Sequence, residues 1–108
     1  SLFYSIKGIF WMLKSERNFQ LEVLALIVNL FLIVYFKLNT TDAAFIILVC
    51  FLVLITETLN TTIEKICDFA EPNFNKKIGL IKDIAASAVI LSVFLSVVVG
   101  ILVYPKYF

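Results

Sequence analysis

Glu57, Asn60, Glu64 and Asp68 share one face of a helix that should otherwise be buried in lipid. At about 100° per residue the four side chains fall within an arc of roughly 80°. Ionisable groups at membrane depth are costly, and they usually mark a place where ions or substrates bind. No packing requirement puts three acids on one buried stripe. The stripe is therefore the strongest chemical signal in the chain.

Clustered carboxylates without histidine or a thiolate cluster favour a hard cation such as Mg²⁺. Mg²⁺ is commonly held by one or two carboxylates and completed by substrate phosphates. Lys82 and Asp83 precede the last apolar segment, where the lysine could meet those phosphates. Phosphoryl transfer needs mainly positioning and charge neutralisation, which this set can supply. An acceptor reaching such a site from the bilayer would be a lipid alcohol, and a carboxylate beside it suits a general base.

Plainer readings exist for individual residues. Glu57 alone would also suit a small proton-coupled exporter, a non-enzymatic alternative. Such an exporter, however, needs its acids near the midplane, open to each side in turn. Glu16 and Arg17 fit a solvated interfacial pair. Lys76 and Lys77 fit topology-setting charges, Asn29 an interhelical hydrogen bond and Asn39 a loop.

The elements that must position these groups follow from hydropathy. Residues 1–15 read as an amphipathic surface helix, with Leu2, Phe3, Ile6, Ile9, Phe10 and Leu13 on one face. Membrane spans are expected over 18–36, 43–67 and 84–104, each long enough to cross a bilayer. Residues 38–42 read as a turn with Asp42 as N-cap of the second span. Residues 69–82 read as a polar link rich in turn formers, and Pro105 ends the third span. Lys7, Lys14, Arg17, Lys65, Lys76, Lys77 and Lys82 flank one side, against Lys37 and Lys106 on the other. The positive-inside rule then puts the amino terminus and the second link in the cytoplasm. Glu16, Glu22, Glu57, Asn60, Glu64, Asp68, Lys82 and Asp83 converge at that interface.

The bulk numbers agree. The chain of 108 residues is one domain at most, and 62% of it is hydrophobic. Its mean hydropathy of +1.04 belongs in a bilayer. A net charge of +1 gives no argument for a nucleic-acid partner. The absence of histidine removes imidazole bases, Ser-His triads and histidine zinc sites. Cys50 and Cys67 lie roughly 25 Å apart along one helix and read as apolar side chains. The three glycines form no phosphate-binding loop. No cleavable signal peptide is visible, and because the chain starts at Ser1, upstream residues are expected to have been removed.

At the acidic stripe the sequence resembles a known family. Glu57-Thr58-Leu59-Asn60-Thr61-Thr62-Ile63-Glu64, then Asp68, then Lys82-Asp83-Ile84-Ala85-Ala86-Ser87-Ala88-Val89 is similar to the signature of the prokaryotic diacylglycerol kinases. Glu16-Arg17-Asn18-Phe19 matches too, in the form of the undecaprenol kinase branch. The resemblance covers essentially the whole chain. It implies an all-α integral membrane protein with three transmembrane helices and an amino-terminal surface helix. It also implies a homotrimer with active sites shared between chains, in the bacterial inner membrane. Such enzymes move the γ-phosphate of MgATP to a lipid hydroxyl. Undecaprenol as acceptor would link the enzyme to recycling of the cell-wall carrier, and diacylglycerol to phosphatidate synthesis. The resemblance assigns Glu57 as catalytic base and Asn60 beside the acceptor. Glu16 and Glu64 would hold the metal. Tyr4, Ser5, Glu16, Glu64, Asp68, Lys82 and Asp83 would contact ATP. Some members have a glutamate and a histidine where this chain has Asn73 and Asn75, and Gly-Ser where it has Ala85-Ala86. An arginine-bearing amino-terminal segment found in some members is absent here.

Overall fold

A computed structural model describes residues 1–108 as five helical elements and no strand. They are α1 (Leu2–Ser15), α2 (Arg17–Tyr35), α3 (Thr40–Ala70), α4 (Lys76–Val103) and the 3₁₀ helix α5 (Tyr104–Tyr107). The last three-residue-per-turn piece directly continues α4. Three helices are long and apolar enough to cross a membrane: α2, α3 and α4 with its extension.

Each boundary has a local cause. Glu16 adopts an extended conformation (φ −113°, ψ 112°) and separates α1 from α2. The Gln20 amide then donates to the Leu13 carbonyl at 2.8 Å, satisfying one orphan acceptor at the end of α1. After α2 the chain reverses through Lys37, which has φ 54°. The Leu38 amide donates to the Ile33 carbonyl at 3.0 Å and the Lys37 amide to the Val34 carbonyl at 3.3 Å. This is the Schellman pattern, with lysine where glycine is favoured.

Asn39, not Asp42, caps α3. The Asn39 Oδ1 accepts the Asp42 amide at 2.8 Å. Asp42 was expected as the cap, but its carboxylate is drawn across to α5. There it accepts from the Tyr107 hydroxyl at 2.7 Å and pairs with Lys106 at 3.0 Å. The expected polar link is also shorter than its composition suggests. α3 continues to Ala70 and α4 begins at Lys76, so Gly79 and Lys82 are helical. Asn75 caps α4, its Oδ1 accepting the amides of Lys77 at 2.9 Å and Ile78 at 3.3 Å.

α3 is central, packing against both α2 and α4. Its 31 residues run roughly 46 Å at about 1.5 Å each, longer than a hydrocarbon core of about 30 Å. Only 14 of the 108 residues are buried. In water that would leave no adequate core, but lipid tails are as apolar as leucine and remove no stability from outward-facing Leu, Ile and Phe. The interhelical contacts are instead small and polar. Thr56 and Ser92 hydroxyls meet at 2.9 Å between α3 and α4. The Tyr104 hydroxyl donates to Asn29 Oδ1 at 2.6 Å between α4's extension and α2. A small apolar cluster of Met12, Phe19 and Leu54 joins α1, α2 and α3.

Candidate active site

The acidic stripe of α3 forms at the end of the bundle where α1 meets α2. Glu57 and Asn60 are buried, at 4% and 8% exposure, whereas Glu64 and Asp68 open to the outside. Burial deepens along the stripe from Asp68 towards Glu57. The Asn60 amide donates to Glu64 Oε1 at 2.9 Å, one turn along the helix. Asn60 Oδ1 has no partner although it is fully buried.

Opposite the stripe, α2 supplies Asn18 and Glu22. Both stand near the Glu57 carboxylate, and Glu64 and Glu16 lie close enough to act on its charge. Sequence reasoning placed Glu22 at the start of the first span but gave it no role. The signal that could have found it was the acid within an apolar segment. The charges of Glu16 and Glu64 reach Glu57, and Asn60 bonds Glu64.

Lys82 and Asp68 form an ion pair between the first turns of α4 and the last turns of α3. They border a groove of about 190 Å³ that also includes Asn73 and Asn75. Asn75 there is committed to capping α4. Asp83 is exposed and takes part in neither ion pair of the chain.

Tyr4 and Ser5 lie elsewhere. Tyr4 is 70% exposed, and the Ser5 hydroxyl donates to the Ser1 carbonyl at 2.9 Å. Ser5 lines a groove with Thr58, Thr62 and Lys65, on the α3 face next to the acidic stripe. Within one chain these two residues do not join Glu57, Asp68 and Lys82.

A third groove, about 430 Å³, is almost wholly apolar and lies between α1, α2 and α3. Leu13, Phe19, Phe51, Leu54 and Leu59 line it, and it reaches Thr58, the neighbour of Glu57. Its walls suit an alkyl or prenyl chain.

No three metal-ligating side chains converge within one chain. Glu16 and Glu64 are two carboxylates whose charges reach Glu57. That donor set fits Mg²⁺, which takes oxygen ligands and leaves positions for water and phosphate. It does not form a self-sufficient protein cage.

Two comparisons bear on this geometry. The family model described as prokaryotic diacylglycerol kinase matches residues 3–104. A diacylglycerol kinase of Helicobacter pylori is 32% identical over 88 residues, covering 82% of this chain and 69% of that protein. The matched region contains every helix that builds the acidic stripe and its surroundings. With three candidate spans, an acidic stripe and a family match over nearly all its length, this chain belongs to the prokaryotic diacylglycerol kinase family.

Proposed function

We propose that the protein transfers the γ-phosphate of MgATP to the hydroxyl of a long-chain lipid alcohol. Membership of the family makes it a multi-pass membrane kinase acting on a lipid alcohol, and it decides against the exporter alternative. The donor, metal, acceptor and residue roles are our reading. The observation that carries it is Glu57, a buried carboxylate on a membrane-spanning helix with further acids near it.

In this reading the acceptor's chain lies in the groove between α1, α2 and α3, with its hydroxyl at Glu57. Glu57 takes the hydroxyl proton as the lipid oxygen bonds to the γ-phosphorus and the bond to the β-phosphate breaks. ADP leaves, and the proton passes to solvent. Asn60 lies beside the acceptor, its amide held by Glu64. Glu16 and Glu64 would hold Mg²⁺, which when bound would neutralise charge on the phosphates. Lys82 contacts the phosphates, and Asp68, Asp83, Tyr4 and Ser5 contact the nucleotide. The separation of Tyr4 and Ser5 from Lys82 in one chain supports sites shared between neighbours in a homotrimer. The lysines and the arginine near the acidic end support a cytoplasmic placement of the amino terminus and site, in the inner membrane.

Undecaprenol is the favoured acceptor, on the Glu16-Arg17-Asn18-Phe19 segment; the name of the Helicobacter relative favours diacylglycerol. The test is transfer of radiolabelled phosphate from MgATP in mixed micelles, offering both lipids in parallel. Label in one lipid names the acceptor. The Glu57→Gln protein should form the same trimer and transfer none. Label in neither lipid from wild-type protein, or normal turnover by Glu57→Gln, would overturn the assignment.

A further inference from the structure

Behind Glu57, away from the open end of the stripe, lies a cavity of about 220 Å³ between α2, α3 and α4. Val49, Val53 and Val93 give it apolar walls, but Glu22, Asn29, Ser96 and Tyr104 face it as well. The Glu22 carboxyl is at hydrogen-bonding range of Glu57. Its Oε1 is fully buried and has no protein partner. A buried carboxyl oxygen left unsatisfied is costly, and buried waters bind where a cavity has room and several polar partners. At about 30 Å³ per molecule, this cavity takes several.

We propose that Glu22 is a positioning residue for Glu57, held in place by water molecules that fill the cavity between α2, α3 and α4. The inference rests on the reading of Glu57 as the catalytic base. Glu57 projects from a rigid helix, but its carboxylate can rotate about the side-chain torsions. Asn18 and Glu22 stand next to it on α2, and the charges of Glu64 and Glu16 also reach it. A contact from behind keeps one Glu57 oxygen turned towards the acceptor, and small misplacements of a base are costly in rate. Two carboxyl groups bond only through a proton between them. An amide at position 22 can supply an equivalent N–H, which makes glutamine the conservative variant.

The test compares Glu22→Gln, Glu22→Leu, Ser96→Ala and Ser96→Leu with wild-type protein. Glu22→Leu should lower kcat about tenfold or more, with KM for MgATP and for lipid unchanged within about twofold. Glu22→Gln should recover most of that loss. Ser96→Leu, which fills the cavity from α4, should lower kcat in the same way, and Ser96→Ala should not. Wild-type kcat in Glu22→Leu, a raised KM for either substrate, or equal damage from glutamine and leucine would each overturn the proposal. If Glu22→Leu does not fold, wild-type kcat in Ser96→Leu overturns it. A readout free of turnover separates this inference from the kinase reading. The infrared carboxyl band that disappears in Glu57→Gln should shift in Glu22→Gln, and an unmoved band would sink the contact itself.

Discussion

Replacing Asn60 with leucine should nearly abolish activity while leaving stability almost untouched. Asn60 is 8% exposed and similar in size to leucine, so the change leaves little void. Two terms oppose each other. The amide loses its 2.9 Å bond to Glu64, but Glu64 is exposed and regains water. A bond to a charged group is worth about 1.5–3 kcal/mol when both partners are dry, and less here. Against this, the buried Oδ1 has no partner. Removing an unsatisfied buried oxygen recovers about 1–3 kcal/mol. Leucine is also the better helix former, by a few tenths of a kcal/mol. The sum should lie within about 1 kcal/mol of wild type. If Asn60 orients the acceptor hydroxyl, kcat/KM for lipid should fall about 100-fold, or about 2.7 kcal/mol of transition-state stabilisation. Denaturant-driven unfolding in mixed micelles measures the first quantity. Initial rates per mole of folded protein measure the second. A loss of about 3 kcal/mol or more in stability with unchanged specific activity would make Asn60 a structural residue and refute the reasoning.

Glu64→Gln should raise the Mg²⁺ concentration needed for half-maximal rate, because one of two carboxylates beside Glu57 is lost. An unchanged metal titration would remove Glu64 from the metal site. Tyr104→Phe should destabilise the bundle by about 1 kcal/mol, since Asn29 Oδ1 loses its 2.6 Å partner between helices. Asn29→Leu together with Tyr104→Phe should cost less than the two single changes summed, which a double-mutant cycle in micelles reads directly. Tyr107→Phe should release α5 from Asp42, seen as faster hydrogen exchange of the Asn39 and Asp42 amides with phosphotransfer unchanged. Slow exchange in that variant would mean Lys106 alone holds the clasp.

Much of the chemistry was legible because it lies on single helices. Glu57, Asn60, Glu64 and Asp68 share a face through the helical repeat alone, without reference to any neighbour. The three spans were visible because hydropathy and length decide which segments cross a bilayer. Ends of helices were harder to read. Asp42 is as good a cap as Asn39 by residue type, and only the approach of Lys106 and Tyr107 removes it from that task. Residues 69–82 are rich in turn formers, yet packing of α3 against α4 extends both helices into that stretch, leaving only 71–75 outside them.

The sequence by itself determined the bilayer setting and the acidic stripe. Each depends on composition or on the phase of one helix, and both are local properties. The tertiary structure decided that Glu22 stands near Glu57, that Asn29 meets Tyr104, and that a largely apolar pocket with a few polar groups lies behind the stripe. Those contacts depend on how α2, α3 and α4 are rotated and shifted against one another. That relation is set by side-chain packing between segments far apart in the chain, and no repeat within a single helix encodes it.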